Sequence, residues 1–339
     1  MTDRGVPIKE VSPRTSRLPP WFFTVLKIAI AASLITWMLR RGVLDLKSVG
    51  SALTRWPDLL LMVAICYVQM ALLAWRWSLL LRTQGISFRF RDTFALTMIG
   101  ALFNLVTPSS VGGDLMKSYY VHQRTADRSA EALGTIVLDR VLGLLALLLV
   151  SALAALPILI QGQGNSALTK LGDLSVLGAV GAVVGLAFCF YASRSGGGVE
   201  PANKILRFVV RAFRSLGSYR EKPLALVTAT AAGMVSFVLS CVMFYLAAHA
   251  LGVEHLPLRF LVLVPLGLLT TALPLSPSGI GVGQLAFAEL FRMTSNGEFT
   301  FGADVYTVYQ SVTFAIYLSG FFFYISYRNR PRPAIGRDS

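Results

Sequence analysis

Six stretches of about 20 or more mostly apolar residues constrain this chain more than any other feature of its sequence. They lie at 21–39, 57–81, 132–160, 174–192, 224–250 and 304–327. An α-helix rises about 1.5 Å per residue, so about 20 apolar residues cross the hydrocarbon core of a bilayer. The sequence therefore predicts an all-α polytopic membrane protein with six transmembrane helices.

The composition supports a membrane protein and excludes most soluble enzymes. Hydrophobic residues make up 55% of the chain and charged residues 14%, against about 25% charged residues in soluble domains. The net charge of +14 predicts basic loops facing anionic lipid and no nucleic-acid partner. The three cysteines and three histidines lack metal-ligand spacing, and no P-loop, GxSxG or HExxH motif occurs. We therefore expect no metal, no cofactor and no enzymatic activity.

Two further apolar stretches, 92–121 and 260–293, are each interrupted by a turn rich in proline and glycine. The first turn contains Pro108, Ser109, Gly112 and Gly113, and the second contains Pro277, Ser278, Gly279 and Gly281. The arms on either side are short for complete spans, so we expect two re-entrant hairpins, with short spanning helices as the alternative. Irregular backbone at membrane depth is tolerated only where it is buried in protein or lines a wet cavity.

The order helix, helix, hairpin, helix occurs twice, which predicts an inverted repeat because each copy contains three crossings. Broken helices at matching positions of two inverted halves point to a transport site near the membrane midplane. Ordinary loops between short helices are the alternative. The predicted organisation is a tail (1–20), a first repeat (21–160), a connector (161–223), the rest of the second repeat (224–327) and a final tail (328–339).

The distribution of basic residues predicts the orientation. With both termini in the cytoplasm, 21 of the 31 Lys and Arg residues lie in cytoplasmic segments and 7 in external loops. This asymmetry follows the positive-inside rule. We expect a multi-pass protein of the bacterial inner (plasma) membrane, with the first hairpin entering from the cytoplasm and the second from outside.

A basic amphipathic helix is predicted at 201–222, inside the connector. Its basic residues are spaced by 3, 4 and 3 positions and so share one helical face: Lys204, Arg207, Arg211 and Arg214. Such a helix lies on the surface of an anionic leaflet. A solvated linker helix is the alternative.

Charged residues beside the first turn form the candidate binding site. Asp114 and Lys117 follow Gly112 and Gly113, where a helix N-terminus and free backbone N–H groups favour an anion. Asp139 and Arg140 begin an unbroken apolar run, and charges in such places usually face the interior of a bundle. Lys117 and Arg140 can bind a phosphate, and Arg140 can instead pair with Asp114. Structural caps and ion pairs are the alternative to an anion site.

The second turn is followed by two further polar residues of the candidate site. Gln284 and Glu289 complete the candidate set, and Glu289 is either a proton carrier or an exposed partner of Arg292. Arg76 lies between Trp75 and Trp77 near the end of the second span, and this context favours an anchor at the membrane interface.

These motifs resemble the lysylphosphatidylglycerol synthase transmembrane-region family, which is also described as flippase-like. The resemblance covers about 20–327 and rests on Asn104-Leu-Val-Thr-Pro-Ser-Ser-Val-Gly-Gly-Asp114, on Thr135-Ile-Val-Leu-Asp-Arg140 and on Pro274-Leu-Ser-Pro-Ser-Gly-Ile-Gly281. Members that make aminoacyl lipids carry a soluble transferase domain after the membrane part, whereas this sequence ends twelve residues after its last predicted span. The resemblance therefore implies the membrane function alone.

The function that the resemblance implies is translocation of an anionic or polyprenyl-phosphate lipid between leaflets, and the predicted inverted repeat and basic inner surface agree with a lipid substrate. The expected partners are that lipid and, beside it, a lipid-biosynthetic enzyme. A proton-coupled carrier of a small anion is one alternative, and it predicts a closed cavity rather than one open sideways to lipid. A membrane-embedded lipid-modifying enzyme or glycosyltransferase, or a partner of one, is the other, and the cytoplasmic loops lack the acidic cluster that it would need.

Overall fold

The computed structural model describes residues 46–106, 112–125, 128–162, 166–192, 216–253, 260–271, 276–295 and 301–328, with the isolated residues 33, 36 and 40. Regular structure within these ranges is helical, without strands. In chain order the helices are α1 (Leu46–Ser51), α2 (Trp56–Thr83), α3 (Phe90–Val106), α4 (Gly112–Arg124), α5 (Ser129–Gln161), α6 (Ser166–Ala192), α7 (Pro223–Ala250), α8 (Phe260–Thr271), α9 (Val282–Thr294) and α10 (Gly302–Arg328).

Five of the six predicted transmembrane segments are confirmed as helices long and apolar enough to cross a membrane. They are α2, α5, α6, α7 and α10. Their bounds agree with the predicted ones to within three residues, except that α6 begins at Ser166 instead of residue 174. The remaining predicted span, 21–39, falls almost entirely outside the described residues.

The long helices carry apolar side chains on their outer surface as well as in the core. Leu60 of α2, Leu177 and Phe188 of α6 and Val227 of α7 are all exposed. An apolar surface of this kind would promote association between molecules if it faced water. In a membrane, lipid tails cover it. The first turns of α2 and α7 contain Pro57 and Pro223, where the missing N–H of proline is not needed by the helix.

Each of the two interrupted stretches forms a pair of short helices. α3 packs against α4 and α8 packs against α9, so the predicted helical arms are present in both. The arms contain 17, 13, 12 and 13 residues. All four are shorter than the 20 or so residues that a full crossing requires.

Glycines allow the arms of each pair to approach closely. A Cβ atom at Gly113 of α4 would overlap the carbonyl oxygen of Gly100 in α3. In the second pair, the ring of Phe287 in α9 lies against Gly267 of α8, and a side chain there would collide with it. In the first pair the two helix backbones therefore pack directly against each other, and in the second pair an aromatic ring packs against the backbone of the facing helix.

The short pairs pack against long helices from distant parts of the chain. α3 packs on α10, and α8 packs on α5, while α2 and α7 lie side by side between them. Buried Gln69 of α2 donates hydrogen bonds to the carbonyl oxygen of Ser236 (2.7 Å) and to the hydroxyl of Ser240 (2.8 Å) in α7. Such polar contacts hold apolar helices together where a hydrophobic driving force between them is absent.

The last part of the predicted amphipathic helix is a short 3₁₀ helix, Leu216–Glu221, instead of an α-helix. Tyr219 donates to the carbonyl oxygen of Leu80 (2.8 Å), and Lys222 donates to that of Thr83 (3.2 Å). These bonds add donors to carbonyl groups in the last turn of α2, where the helical ladder leaves backbone acceptors over. The four basic residues predicted to contact lipid, Lys204, Arg207, Arg211 and Arg214, lie outside the described residues.

Candidate functional site

Five charged side chains come together where α2 and α4 each pack against α5. They are Arg76, Asp114, Lys117, Asp139 and Arg140, which give the cluster a net charge of +1. Four of them were singled out in the sequence as candidate site residues. The fifth, Arg76, reaches the cluster from a helix that the sequence did not connect with it.

Arg76 and Asp139 form a buried ion pair. The Arg76 Nε donates to Asp139 Oδ1 at 2.7 Å, and Nη2 donates to the Asp139 carbonyl oxygen at 3.1 Å. The two side chains are only 6% and 16% exposed. The prediction that Arg76 is an interfacial anchor is therefore wrong. A charge this far inside an apolar helix is retained because a partner compensates it.

Two glycines create the space for the Arg76 guanidinium. A Cβ atom at Gly233 of α7 would lie 3.0 Å from Arg76 Nη1, and one at Gly143 of α5 would lie 3.6 Å from it. Without side chains at these positions, the planar group lies between α5 and α7. The burial of Arg76 thus depends on three helices from both halves of the chain.

Arg140 and Asp114 form a second ion pair that is much more exposed. The Arg140 Nε donates to Asp114 Oδ2 at 2.7 Å. This is the pairing that the sequence analysis gave as the alternative to a phosphate contact. The side chain of Arg140 is 50% exposed and that of Asp114 is 23% exposed. Asp114 lies in the first turn of α4, where the helix dipole favours a negative charge.

Lys117 lies one turn further along α4 and contacts an aromatic ring. Its Nζ is 5.0 Å from the centroid of the Trp77 ring, and it interacts electrostatically with Asp139 and Asp114. No carboxylate among the described residues forms an ion pair with it. Its aliphatic stem crosses Gly100, where an added Cβ would lie 3.1 Å from Lys117 Cε.

The cluster lies at a similar distance from one end of each of the three helices, namely the C-terminal ends of α2 and α4 and the N-terminal end of α5. Arg76 is seven residues before the end of α2, Asp114 is ten before the end of α4, and Asp139 is ten after the start of α5. At 1.5 Å per residue these separations are about 10–15 Å. Each of these charges therefore lies about two to three helical turns from that end of its helix.

The tip of the second short helix pair, residues 276–281, meets α3 of the first pair through a hydrogen bond. The hydroxyl of Ser278 donates to the carbonyl oxygen of Asn104 at 2.9 Å. The side-chain oxygen of Asn104 in turn accepts from the backbone N–H of Gly113 at 2.7 Å. Asn104 therefore joins the second tip to the start of α4, one residue before Asp114.

Three left-handed residues shape the second tip. Ser278, Gly279 and Gly281 have φ angles of 50°, 75° and 81°. Glycine adopts this conformation easily, but for serine it is strained. Gly281 donates its N–H to the side-chain oxygen of Gln284 (2.8 Å), which stabilises the first turn of α9.

Buried amide side chains support this tip from α9 and α10. Gln284 donates to the side-chain oxygen of Gln310 at 2.8 Å, and Gln310 donates to the carbonyl oxygen of Ser278 at 3.0 Å. Glu289 is not part of this network. It accepts two hydrogen bonds from Arg292 of the same helix, and both side chains are exposed. The geometry thus favours the exposed pair over a proton carrier.

Four further residues belong to the predicted site. Gly112 is buried at the start of α4. Pro277 begins the 3₁₀ turn Pro277–Gly279. Pro108 and Ser109 lie outside the described residues.

Sequence reasoning missed Arg76, Trp77, Asn104 and Gln310. Arg76 and Gln310 are polar residues inside apolar spans, and the rule that identified Arg140 applies equally to them. Asn104 belongs to the first quoted motif, but nothing in its sequence context indicates that it joins two turns. No local signal identifies Trp77, because interfacial tryptophans have the same flanking pattern.

Comparison with known proteins assigns the chain to a family. The family model described as the lysylphosphatidylglycerol synthase TM region matches residues 24–320, which include both short helix pairs and the charged cluster. The chain belongs to this family. With the apolar helices described above, the membership identifies a multi-pass membrane protein.

One relative extends the comparison to archaea. A UPF0104 membrane protein of Methanocaldococcus jannaschii is 28% identical over 88 residues, which are 25% of this chain and 26% of the relative. The match therefore spans about a quarter of each protein. No solved structure matches the chain.

Proposed function

We propose that this protein moves an anionic membrane lipid between the two leaflets, as a transporter rather than an enzyme. The observation that carries the proposal is the unequal burial of the two ion pairs within the charged cluster. The Arg76–Asp139 pair is buried, whereas the Arg140–Asp114 pair is exposed and lies beside Lys117. One pair is suited to hold the helices together and the other to exchange its partner for a ligand.

A phosphate group is a suitable ligand to replace Asp114 as the partner of Arg140. A guanidinium binds phosphate and carboxylate through the same two-pronged geometry, so Arg140 can pass from Asp114 to a head group. Lys117 adds a point charge, and the cluster's net charge of +1 favours an anion. The buried pair is unsuited to this exchange, because removing one partner leaves the other charge uncompensated.

The position of the cluster suits a lipid head group. The helix ends nearest to it carry Arg82, Arg124 and Arg128, which the positive-inside rule assigns to the cytoplasm. A depth of about 10–15 Å from these ends is near the middle of a hydrocarbon core of about 30 Å. A head group at this depth occupies the polar interior while its tails remain in the bilayer.

The packing pattern supports an inverted repeat. α3 of the first half packs on α10, which ends the second half, and α8 of the second half packs on α5, which ends the first. Reciprocal packing of this kind is expected of halves related by a pseudo-two-fold axis. In the proposed arrangement both termini are cytoplasmic, the membrane is the bacterial inner membrane, and the short helix pairs are re-entrant hairpins.

The proposed direct partner is an anionic lipid, and a lipid-biosynthetic enzyme is a further proposed partner. The family description names lysylphosphatidylglycerol, whose parent lipid is phosphatidylglycerol. Phosphatidylglycerol is therefore the anionic probe to test first, with zwitterionic phosphatidylcholine for comparison.

The experiment is fluorescent-lipid translocation in proteoliposomes, with a thermal melt of each variant in detergent. Arg140→Gln and Lys117→Gln should slow translocation of phosphatidylglycerol at least tenfold while the protein remains folded. Arg292→Gln, which removes an exposed arginine of α9 (60% against 50% for Arg140), is the matched control and should retain the full rate. Folded Arg140→Gln and Lys117→Gln proteins with undiminished rates would contradict the proposal.

A further inference from the structure

We infer that Trp77 is a positioning residue of this site and that its indole face presents the ammonium of Lys117 to the anion. Thr135 holds the ring in the required orientation. The inference rests on the proposed function, since it concerns how one cation of the head-group site is held.

The contact between Lys117 and Trp77 has the geometry of a cation–π interaction. The ammonium lies over the ring at 5.0 Å from its centroid, inside the limit of about 6 Å for such contacts. Trp77 is 1% exposed, so the ring face is shielded from water. Indole is the aromatic side chain that binds cations most strongly.

An aromatic partner differs from a carboxylate in its effect on ligand binding. A carboxylate would neutralise the ammonium and compete with an incoming anion. The face of an aromatic ring stabilises a cation through its quadrupole but carries no net charge. The ring therefore holds the ammonium without offsetting its charge, which leaves N–H groups on the side away from the ring to donate to a phosphate.

The ring itself is fixed by Thr135 of α5. Trp77 Nε1 donates to the Thr135 hydroxyl oxygen at 3.1 Å. That hydroxyl donates its own proton to the carbonyl oxygen of Ala132 at 2.7 Å, so its oxygen is directed to accept from the indole. Lysine has a long flexible stem, and a fixed ring restricts where its ammonium can lie. α2, α4 and α5 thus each contribute one residue to this arrangement.

The decisive experiment replaces Trp77 with tryptophans that carry one, two or three fluorines. Fluorine withdraws electron density from the ring face but hardly changes its size, so the cation–π interaction weakens stepwise while packing is kept. Trp75, which is on the same helix but 42% exposed, provides the matched control series. The full-length protein is used in proteoliposomes, with fluorescent phosphatidylglycerol as the probe.

We expect the half-saturating concentration of phosphatidylglycerol to rise with each fluorine at position 77, by about fivefold to thirtyfold over the series. Melting temperatures should stay constant, and the series at position 75 should show no trend. A flat series at position 77, or tighter binding with fluorination, would overturn the inference.

Variants of Thr135 provide an independent measurement. Thr135→Val removes the acceptor for the indole and should weaken lipid binding, whereas Thr135→Ser keeps the hydroxyl and should restore it. Lys117→Gln separates the two proposals. If it leaves translocation unchanged, the head-group site itself is wrong, but if it abolishes translocation while the fluorinated series is flat, only the role of Trp77 is refuted.

Discussion

Ser278 and Asn104, 174 positions apart in the chain, join the two short helix pairs by a hydrogen bond of 2.9 Å. The same asparagine accepts from Gly113 at the start of α4, so it connects the second tip to the residue that precedes Asp114 of the charged cluster. This hydrogen bond is one of several contacts between the two halves of the molecule, beside those of Gln69 with Ser236 and Ser240.

The strained backbone of Ser278 allows its two contributions to be separated. Ser278→Ala loses the hydrogen bond to Asn104 but keeps the strained φ of 50°, so we expect stability to fall by about 1 kcal/mol. Ser278→Gly loses the same bond but gains about as much by relieving the strain, so its melting temperature should be close to that of the unmodified protein. Thermal melts of both variants in detergent test this, and Gly melting well below Ala would contradict it.

The two ion pairs should respond differently to neutralisation. Asp139→Asn leaves the buried Arg76 charge without its partner, and we expect a loss of about 3–5 kcal/mol of stability. Asp114→Asn exposes Arg140 to solvent or head groups, and the loss should stay below about 1 kcal/mol. Unfolding in detergent measures both. Equal losses would show that burial does not distinguish the pairs.

Close approach of α3 and α4 depends on Gly113. In Gly113→Ala the new methyl group would overlap the Gly100 carbonyl and crowd Asn104, so the arms must separate. We expect both a lower melting temperature and loss of lipid translocation. Gly181→Ala in α6 is the control, because an added Cβ there meets no atom within 4 Å. A Gly113→Ala protein with unchanged activity would show that this contact is not needed.

The orientation of the two hairpins can be tested by cysteine labelling. In a background lacking native cysteines, single cysteines at Ser109 and Ser278 should react with membrane-impermeant reagents from opposite sides. The expectation follows from the inverted repeat, in which one hairpin enters from each face. Labelling of both positions from the same side would exclude the repeat while leaving the charged cluster unaffected.

Long apolar segments and turns were predictable because their signals are local. The length of an apolar stretch determines whether it can cross a membrane, and α2, α5, α7 and α10 follow their predicted bounds within three residues. The turns were equally clear, because glycine and proline interrupt helices wherever they cluster. Asp114, Lys117, Asp139 and Arg140 stood out because charges are rare beside such apolar sequence.

The amino-acid sequence by itself determined the membrane class, the long helices, the two interrupted stretches and most of the charged residues. Only the tertiary structure decided that Arg76 binds Asp139, that Lys117 lies on Trp77 and that Ser278 reaches Asn104. These partners are 63, 40 and 174 positions apart. Which helical faces meet depends on packing across the whole bundle, and in a chain apolar on all sides the periodicity of the sequence does not reveal it.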